Sequence, residues 1–224
     1  MTETTANMMV AFATPSRGLI FSKTTQSIIE GMQALNKLGI ATMYVTSHDL
    51  PIPDGHNYCT ETALANPSVD RILFIEEDMY LFPEAVVALC TTEAEMATLQ
   101  YNDKNGRPKG IIEFGNEGEV VWCGLGATLI KRSVFDKVGR PYFFTERRWS
   151  NKRRTEKGKL IKWYEPVGTP GVYQYGGLDV DFCMRATTKG VQIKCIQEHK
   201  AHHFQLIELG QPHVNQGMHN IRQV

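Results

Sequence analysis

The apolar and polar positions along the chain fall into short segments that switch between strand and helix periods. Residues 8–13 (MMVAFA) form an apolar run that ends at Thr14-Pro15-Ser16-Arg17-Gly18, which predicts a strand entering a turn. Ile28, Met32 and Leu35 then recur at helical spacing, with Lys37 and Gly39 as a stop signal. Residues 40–45 read as a second strand, 57–65 as a short helix and 71–75 (RILFI) as a third strand. Pro83 suits the first turn of a further helix running through Val86, Val87 and Leu89. This β-α-β-α-β-α order predicts an α/β fold with a parallel sheet, and ligands beyond the carboxyl ends of its strands.

The pattern changes after residue 100. Residues 101–122 carry Asn105-Gly106 and the stretch 116–118 between strand-like pieces, an antiparallel hairpin signature. Residues 145–177 are polar, contain Gly and Pro and have weak periodicity, so a mobile loop is expected there. Residues 178–189 read as helix and 191–196 as strand. With no internal repeat, low-complexity tract or linker, the 224 residues are expected to form one domain. A chain 42% hydrophobic and 21% charged is neither disordered nor collagen-like.

No apolar stretch reaches the roughly 18 residues that a membrane span needs. The N-terminus, MTETTANMMVAF, lacks the basic and apolar regions of a signal peptide. Cys59, Cys90, Cys123, Cys183 and Cys195 form no close pair, which suits free thiols in a reducing compartment. A cytoplasmic location is the expectation. Lys+Arg 24 and Asp+Glu 24 cancel over the whole chain, but not locally. Residues 145–164 hold eight basic side chains against two acidic ones, a net +6 that leaves −6 for the rest. Trp149, Trp163 and Tyr164 interleave with these charges, a composition suited to phosphates and stacked bases. A solvated loop or a lid over a bound diphosphate fits the same stretch equally well.

The sharpest chemical feature is FIEEDM, residues 74–79, where three acids follow an apolar strand. On extended backbone, Glu76 and Asp78 point to one side and can share a hard cation. Glu77 would then point the other way. A solvated strand end is the plain alternative.

Taken together, several segments resemble the GT-A glycosyltransferases, especially the family 2-like group. Glu76-Glu77-Asp78 is similar to the family's Asp-x-Asp motif, and His56-Asn57 to its helix-opening Arg-Asn pair. VWCGLGATLIKRSVFDKVG (121–139) resembles its glycine-containing strand and following helix. GGLDVDFCMRATTKG (176–190) resembles its Glu-Asp-x-Asp-Phe-Cys-x-Arg helix, and His202-His203 follows the last strand where the family often has a metal-binding His. The resemblance implies a GT-A (Rossmann-like) mixed sheet with helices on both faces and a small antiparallel hairpin region. It divides the chain into a nucleotide-binding half, about 1–100, and an acceptor half, about 101–224.

The implied activity is metal-dependent transfer of a hexose or pentose from a nucleotide-diphosphate sugar, UDP-linked, to an acceptor hydroxyl with inversion. Glu76, Asp78, His203 and, as alternate, His202 are the implied metal ligands, and imidazole among carboxylates favours Mn2+ over Mg2+. Asp179 is the expected general base and Asp181 its rival. Pro15, Ser16, Arg17, His56, Asn57, Glu77, Gly124 and Gly126 are the donor-binding candidates. The acceptor is open, with a polyanion such as modified DNA suggested by the basic stretch. The chain departs from the family at Glu76, at Leu178 in place of a Glu, and at His56 in place of Arg, which loses a permanent charge. A nucleotidyltransferase and a noncatalytic nucleotide-sugar or nucleic-acid binding module are the competing readings.

Overall fold

The computed structural model describes residues 8–50, 52–102, 112–115, 117–144 and 177–204, together with the backbone of five short strands between 147 and 175. The first half runs β1 (Met9–Thr14), α1 (Ser22–Lys37), β2 (Ala41–Thr46), α2 (Asp54–Leu64), β3 (Val69–Ile75), β4 (Met79–Leu81), α3 (Pro83–Thr91) and β5 (Met96–Gln100). A hairpin of β6 (Ile112–Phe114) and β7 (Val120–Cys123) follows, then β8 (Ala127–Lys131) and α4 (Arg132–Val138). The short strands are β9 (Arg147–Ser150), β10 (Arg154–Glu156), β11 (Lys159–Ile161), β12 (Tyr164–Pro166) and β13 (Gln174–Tyr175). The described chain closes with α5 (Leu178–Thr188) and β14 (Ile193–His203).

The seven-stranded sheet has the order β2-β1-β3-β8-β5-β14-β4. β1 is parallel to β2 and β3, as the opening βαβ pattern predicts. β8 runs antiparallel to both β3 and β5, so the sheet is mixed. Alternation along the strands sends side chains to two cores. Phe12, Leu73 and Ile75 meet α1 and α3 on one face, whereas Ala11, Ile72 and Phe74 meet α2, α4 and α5 on the other.

Helix α1 forms where Thr24, Ser27, Ile28, Gly31 and Leu35 fall on one buried stripe. Gly31 lies at the closest approach: a Cβ there would be 3.1 Å from Val86 and 3.2 Å from Phe12, so a larger residue would make these side chains give way by a few tenths of an ångström. β14 is longer than its apolar pattern predicts. Its first part pairs in parallel with β5, and Gln197, Glu198 and His199 are then extruded between the residues facing Leu99 and Gln100. Its last part turns to pair antiparallel with β4, placing His203 opposite Met79. The predicted hairpin is present as β6–β7, while its Asn105-Gly106 turn lies outside the described residues. The expected mobile loop over 145–177 also lies outside them, apart from the strand backbones β9–β13. Among the described residues no helix is long and apolar enough to cross a membrane.

Candidate functional site

The carboxyl ends of β1, β3 and β14 converge on a cavity of about 130 Å³. Glu76, Glu77 and Asp78 line it, but not from extended backbone. They form a turn between β3 and β4, closed by the Met79 amide donating to the Glu76 carbonyl at 3.1 Å. The same-side spacing expected of an extended strand therefore does not apply. The turn is pinned on three sides. The Glu76 amide donates to the Gly126 carbonyl, the Phe21 amide to the Glu77 carbonyl and the Phe204 amide to the Asp78 carbonyl.

Pairing of β14 with β4 brings His203 to Asp78, with Nε2 3.2 Å from Oδ2. On the far side of the ring, Nδ1 lies 3.2 Å from the Asn102 carbonyl. A carbonyl only accepts, so Nδ1 carries a proton and Nε2 faces the carboxylate. Asp78, through its hydrogen bond and charge, raises the His203 pKa above the ordinary histidine value. With nothing between them the two groups form an ion pair. With a cation between them, the Nε2 lone pair and the carboxylate are both ligands, and Asn102 fixes the tautomer that exposes that lone pair. His202, one residue earlier, points away; its ring lies against Tyr80 and Phe82. Among the described residues no group of three or more His, Cys, Asp or Glu side chains is preassembled to hold a metal.

Arg17 and Glu77 meet across the cavity mouth. The Glu77 carboxylate accepts from the Arg17 amide at 2.9 Å, from Nε at 3.0 Å and from Nη2 at 2.6 Å. Glu77 thus faces the cavity, not the opposite side, and its hydrogen bonds and charge raise the Arg17 pKa. Ser16 is held by its amide donating to Ser47 Oγ at 3.0 Å, which ties the β1 turn to the end of β2. Pro15, Leu50 and Ile52 form the apolar part of the lining.

His56, at the start of α2, also lines the cavity and is only 2% exposed. Its ring stacks on Phe74 and meets Phe143 edge-on. Among the described residues neither ring nitrogen has a hydrogen-bond partner. Burial pushes its pKa down to about 3, so the imidazole is neutral at physiological pH. The polar group opposite Nε2 is Glu76 Oε1 at 3.9 Å, beyond direct hydrogen bonding. Its neighbour Asn57 is not brought to the cavity. Both ends of its amide are bonded to the Phe143 backbone, Nδ2 to the carbonyl at 2.7 Å and Oδ1 from the amide at 2.9 Å.

Gly126 sits behind Glu76, where a Cβ would come within 2.8 Å of the Tyr101 hydroxyl and 3.2 Å of Glu76 Oε2. The Gly126 amide donates to that hydroxyl at 3.1 Å. Gly124 lies between β7 and the turn at Leu125 and Gly126, and its carbonyl accepts from Thr128 Oγ1. Burial, then the charges of Glu76 and Asp179, hold the Tyr101 phenol well above its ordinary pKa, so both carboxylates approach this ring. Asp179 lies in the first turn of α5, and its Oδ1 accepts from the Val180 amide at 2.8 Å. Its burial raises the carboxyl pKa, the direction that makes a carboxylate a better base. Asp181 is 1% exposed and bound to Arg185 Nε at 2.8 Å. Arg185 in turn donates to the Tyr142 carbonyl and lies over the Phe144 ring. Asp181 is thus committed to Arg185, whereas the Asp179 carboxylate is bonded to the Val180 backbone amide.

Tyr101, Asn102, Leu50 and Ile52 were not among the sequence candidates. The first two reach the site only because β5 and β14 pair across about a hundred residues of chain, a contact that no local pattern encodes.

No family profile matches the chain at the sequence level, and no curated protein sequence matches it. Its fold does have counterparts. The crystal structure of A197 from STIV is 21% identical, covers 88% of this chain and 85% of its own, and superposes with a TM-score of 0.54. This likeness is one of fold alone, and the strand order around antiparallel β8 describes that fold. The fold is broadly GT-A-like. It is a curled mixed sheet flanked by helices and not two Rossmann halves. Two lower-scoring likenesses add nothing to that assignment. A Drosophila β1,4-galactosyltransferase 7 mutant, in complex with manganese, UDP-Gal and xylobiose, is 16% identical over 84% of this chain and 65% of its own, with a TM-score of 0.47. The inositol-1-phosphate CTP transferase from T. maritima is 11% identical over 89% of both chains, with a TM-score of 0.48.

Proposed function

We propose that the chain is a metal-dependent glycosyltransferase that moves a sugar from a UDP-linked donor to an acceptor hydroxyl with inversion. The observation that carries this reading is the Asp78–His203 pair, with Asn102 behind the imidazole, at the carboxyl edge of a GT-A-like sheet. The donor set fits a divalent cation, Mn2+ more than Mg2+, because it joins an imidazole to a carboxylate. Two protein ligands leave the remaining positions to substrate oxygens and water. When bound there, the cation supplies positive charge against which a diphosphate leaves.

The other residues have separate tasks in this scheme. Pro15, Ser16 and Arg17 border the nucleotide, and Glu77 holds the Arg17 guanidinium at the mouth. Asp179, with its raised pKa, accepts the proton of the acceptor hydroxyl as that oxygen attacks the anomeric carbon. Gly126 keeps the floor low beside Glu76 and Tyr101. The acceptor class we infer is polyanionic, from the +6 stretch at 145–164. Nucleic-acid affinity should then fall steeply with salt, and a salt-independent affinity would exclude that acceptor.

The test of the donor reading is titration of UDP with and without manganese. Asp78→Asn should weaken manganese-supported UDP binding at least tenfold, the scale of one charged ligand lost. Binding should also release a proton, and should weaken as pH falls through the raised His203 pKa, because the protonated ring cannot ligate. Equal UDP affinity in the wild type and a folded Asp78→Asn variant would reject the assignment.

A further inference from the structure

The two edges of the seven-stranded sheet are not alike. β4, at one end of the strand order, is three residues long, and α1 covers it. Ser27 Oγ donates to the Leu81 carbonyl at 2.8 Å and accepts from the Leu81 amide at 2.9 Å. β2, at the other end, has six residues, and among the described residues no strand lies beyond it. Its sequence, ATMYVT, holds no charge or proline, and its pairing with β1 has no bulge, so it lacks the usual devices that keep a sheet edge from pairing. We propose that β2 is a self-association edge, on which a second copy of this chain pairs antiparallel about a two-fold axis at Tyr44; this is independent of the donor reading.

The alternation of backbone hydrogen bonds sets the register. The Ala41 amide donates to the Met8 carbonyl at 3.2 Å, and Ala41 lies beside Met9. In a parallel pair the residues of one strand alternate between bonding that neighbour and pointing the other way. Ala41, Met43 and Val45 therefore bond to β1, and Thr42, Tyr44 and Thr46 direct N–H and C=O out of the sheet. Across an antiparallel pair such residues match one another, because two that stand opposite exchange both of their bonds. Setting Tyr44 against Tyr44 of the second copy puts Thr42 against Thr46 on both sides of the axis. Every outward N–H and C=O of β2 is then satisfied. Any other register within β2 leaves at least one of these residues unmatched.

The side chains agree with this arrangement. Val45 belongs to the core under α2 and Met43 packs against it, so Thr42, Tyr44 and Thr46 lie on the opposite face, the one that α1 covers. Tyr44 is 40% exposed, and at this register two tyrosines meet across the axis as an aromatic cross-strand pair. Leu38, the C-cap of α1 just before β2, is 54% exposed and adds apolar surface. Lys37 precedes the strand and Asp49 follows it, so antiparallel approach brings Lys37 of each copy toward Asp49 of the other. Opposite charges meet at both ends and none meets at the centre. A surface complementary to itself in hydrogen bonds, aromatic contact and charge fits a second copy, as a two-fold interface requires. The carboxyl ends of the two β2 strands then point in opposite directions, which keeps the two cavities apart.

The test is sedimentation equilibrium over a concentration series, with amide hydrogen exchange on the same samples. The wild-type chain should pass from one-chain to two-chain mass as concentration rises, and the amides of Thr42, Tyr44 and Thr46 should gain protection in step. Those of Ala41, Met43 and Val45 should be protected throughout. Tyr44→Lys places two ammonium groups across the axis, on Cα atoms about 5.5 Å apart, and should weaken association at least tenfold, as should Tyr44→Glu with two carboxylates. An equimolar mixture of the two variants should recover association, because opposite charges then face each other. Wild type that keeps one-chain mass up to about 1 mM would overturn the inference. So would association without protection of the three amides, a result that needs neither variant to fold. Folded variants that associate as the wild type does, or that fail to recover on mixing, would overturn it equally.

Discussion

Replacing His56 should make the protein more stable. The ring fills a slot between Phe74 and Phe143, and its two nitrogens are desolvated with no hydrogen-bond partner among the described residues. In His56→Phe both unsatisfied atoms vanish and the aromatic contacts remain. Each such atom costs about 1–3 kcal/mol, so a gain of about 1–3 kcal/mol at pH 7 is expected after some loss to the larger ring. For a chain of this size that is about 2–10 °C in Tm. The pH dependence is sharper. The native pKa of His56 is about 3, whereas an unfolded histidine titrates near 6.5. Above pH 6.5 neither state binds the proton and the group has no pH effect. Below it the unfolded chain takes up a proton that the native state refuses, and stability falls by about 1.4 kcal/mol per pH unit until the native pKa is reached. The advantage of His56→Phe should therefore grow by about 2–3 kcal/mol between pH 6.5 and pH 4.5. Urea unfolding of both proteins across that range measures it, with His56→Leu as a smaller replacement. A gap that stays constant with pH would mean that His56 protonates in the folded protein, and the account of an unpartnered neutral ring would be wrong.

The two acids of α5 should separate cleanly. Asp179→Asn should lower transfer by roughly a hundred- to ten-thousandfold with donor affinity and Tm nearly unchanged. Asp181→Asn should cost about 2–4 kcal/mol of stability, because it uncouples the Arg185 anchor; transfer assays and thermal melts on the two variants would expose a reversed assignment. Asn57→Ala removes both bonds to the Phe143 backbone and should destabilise by about 1–3 kcal/mol. If denaturant unfolding shows no loss, Asn57 is not the clamp on that loop.

The parts of the fold legible in the sequence are those with a strong local period. β1, α1, β2, α2 and β3 come out within a few residues because each has an apolar run or stripe bounded by Gly, Pro or a polar turn. β4 and β5 do not, being three and five residues long with no alternation to distinguish them. The acids at 76–78 announce a site by composition, but whether they lie on strand or turn depends on the Met79–Glu76 hydrogen bond, which composition does not encode. Likewise Asp179 and Asp181 are equivalent in sequence and differ only in what surrounds them, the Val180 amide at the helix start against the Arg185 clamp. His56 is the opposite case. Its identity was visible, but its significance comes from partners it lacks, and an absence of partners appears only in three dimensions.

The three residues extruded from β14, Gln197 to His199, act as a phase-setting spacer. They carry no part of the site, yet their number decides which histidine arrives beside Asp78. Along a strand, successive side chains alternate between faces. A chain shortened or lengthened by one residue there, with the β5 pairing and the span of the extruded segment kept, would shift the β4 register by one residue, turn His203 out of the cavity and bring a neighbouring side chain in. In an enlarged set of related chains, the length of this segment should be held constant while its residues vary freely. That is a form of constraint which a position-by-position comparison of side chains would pass over.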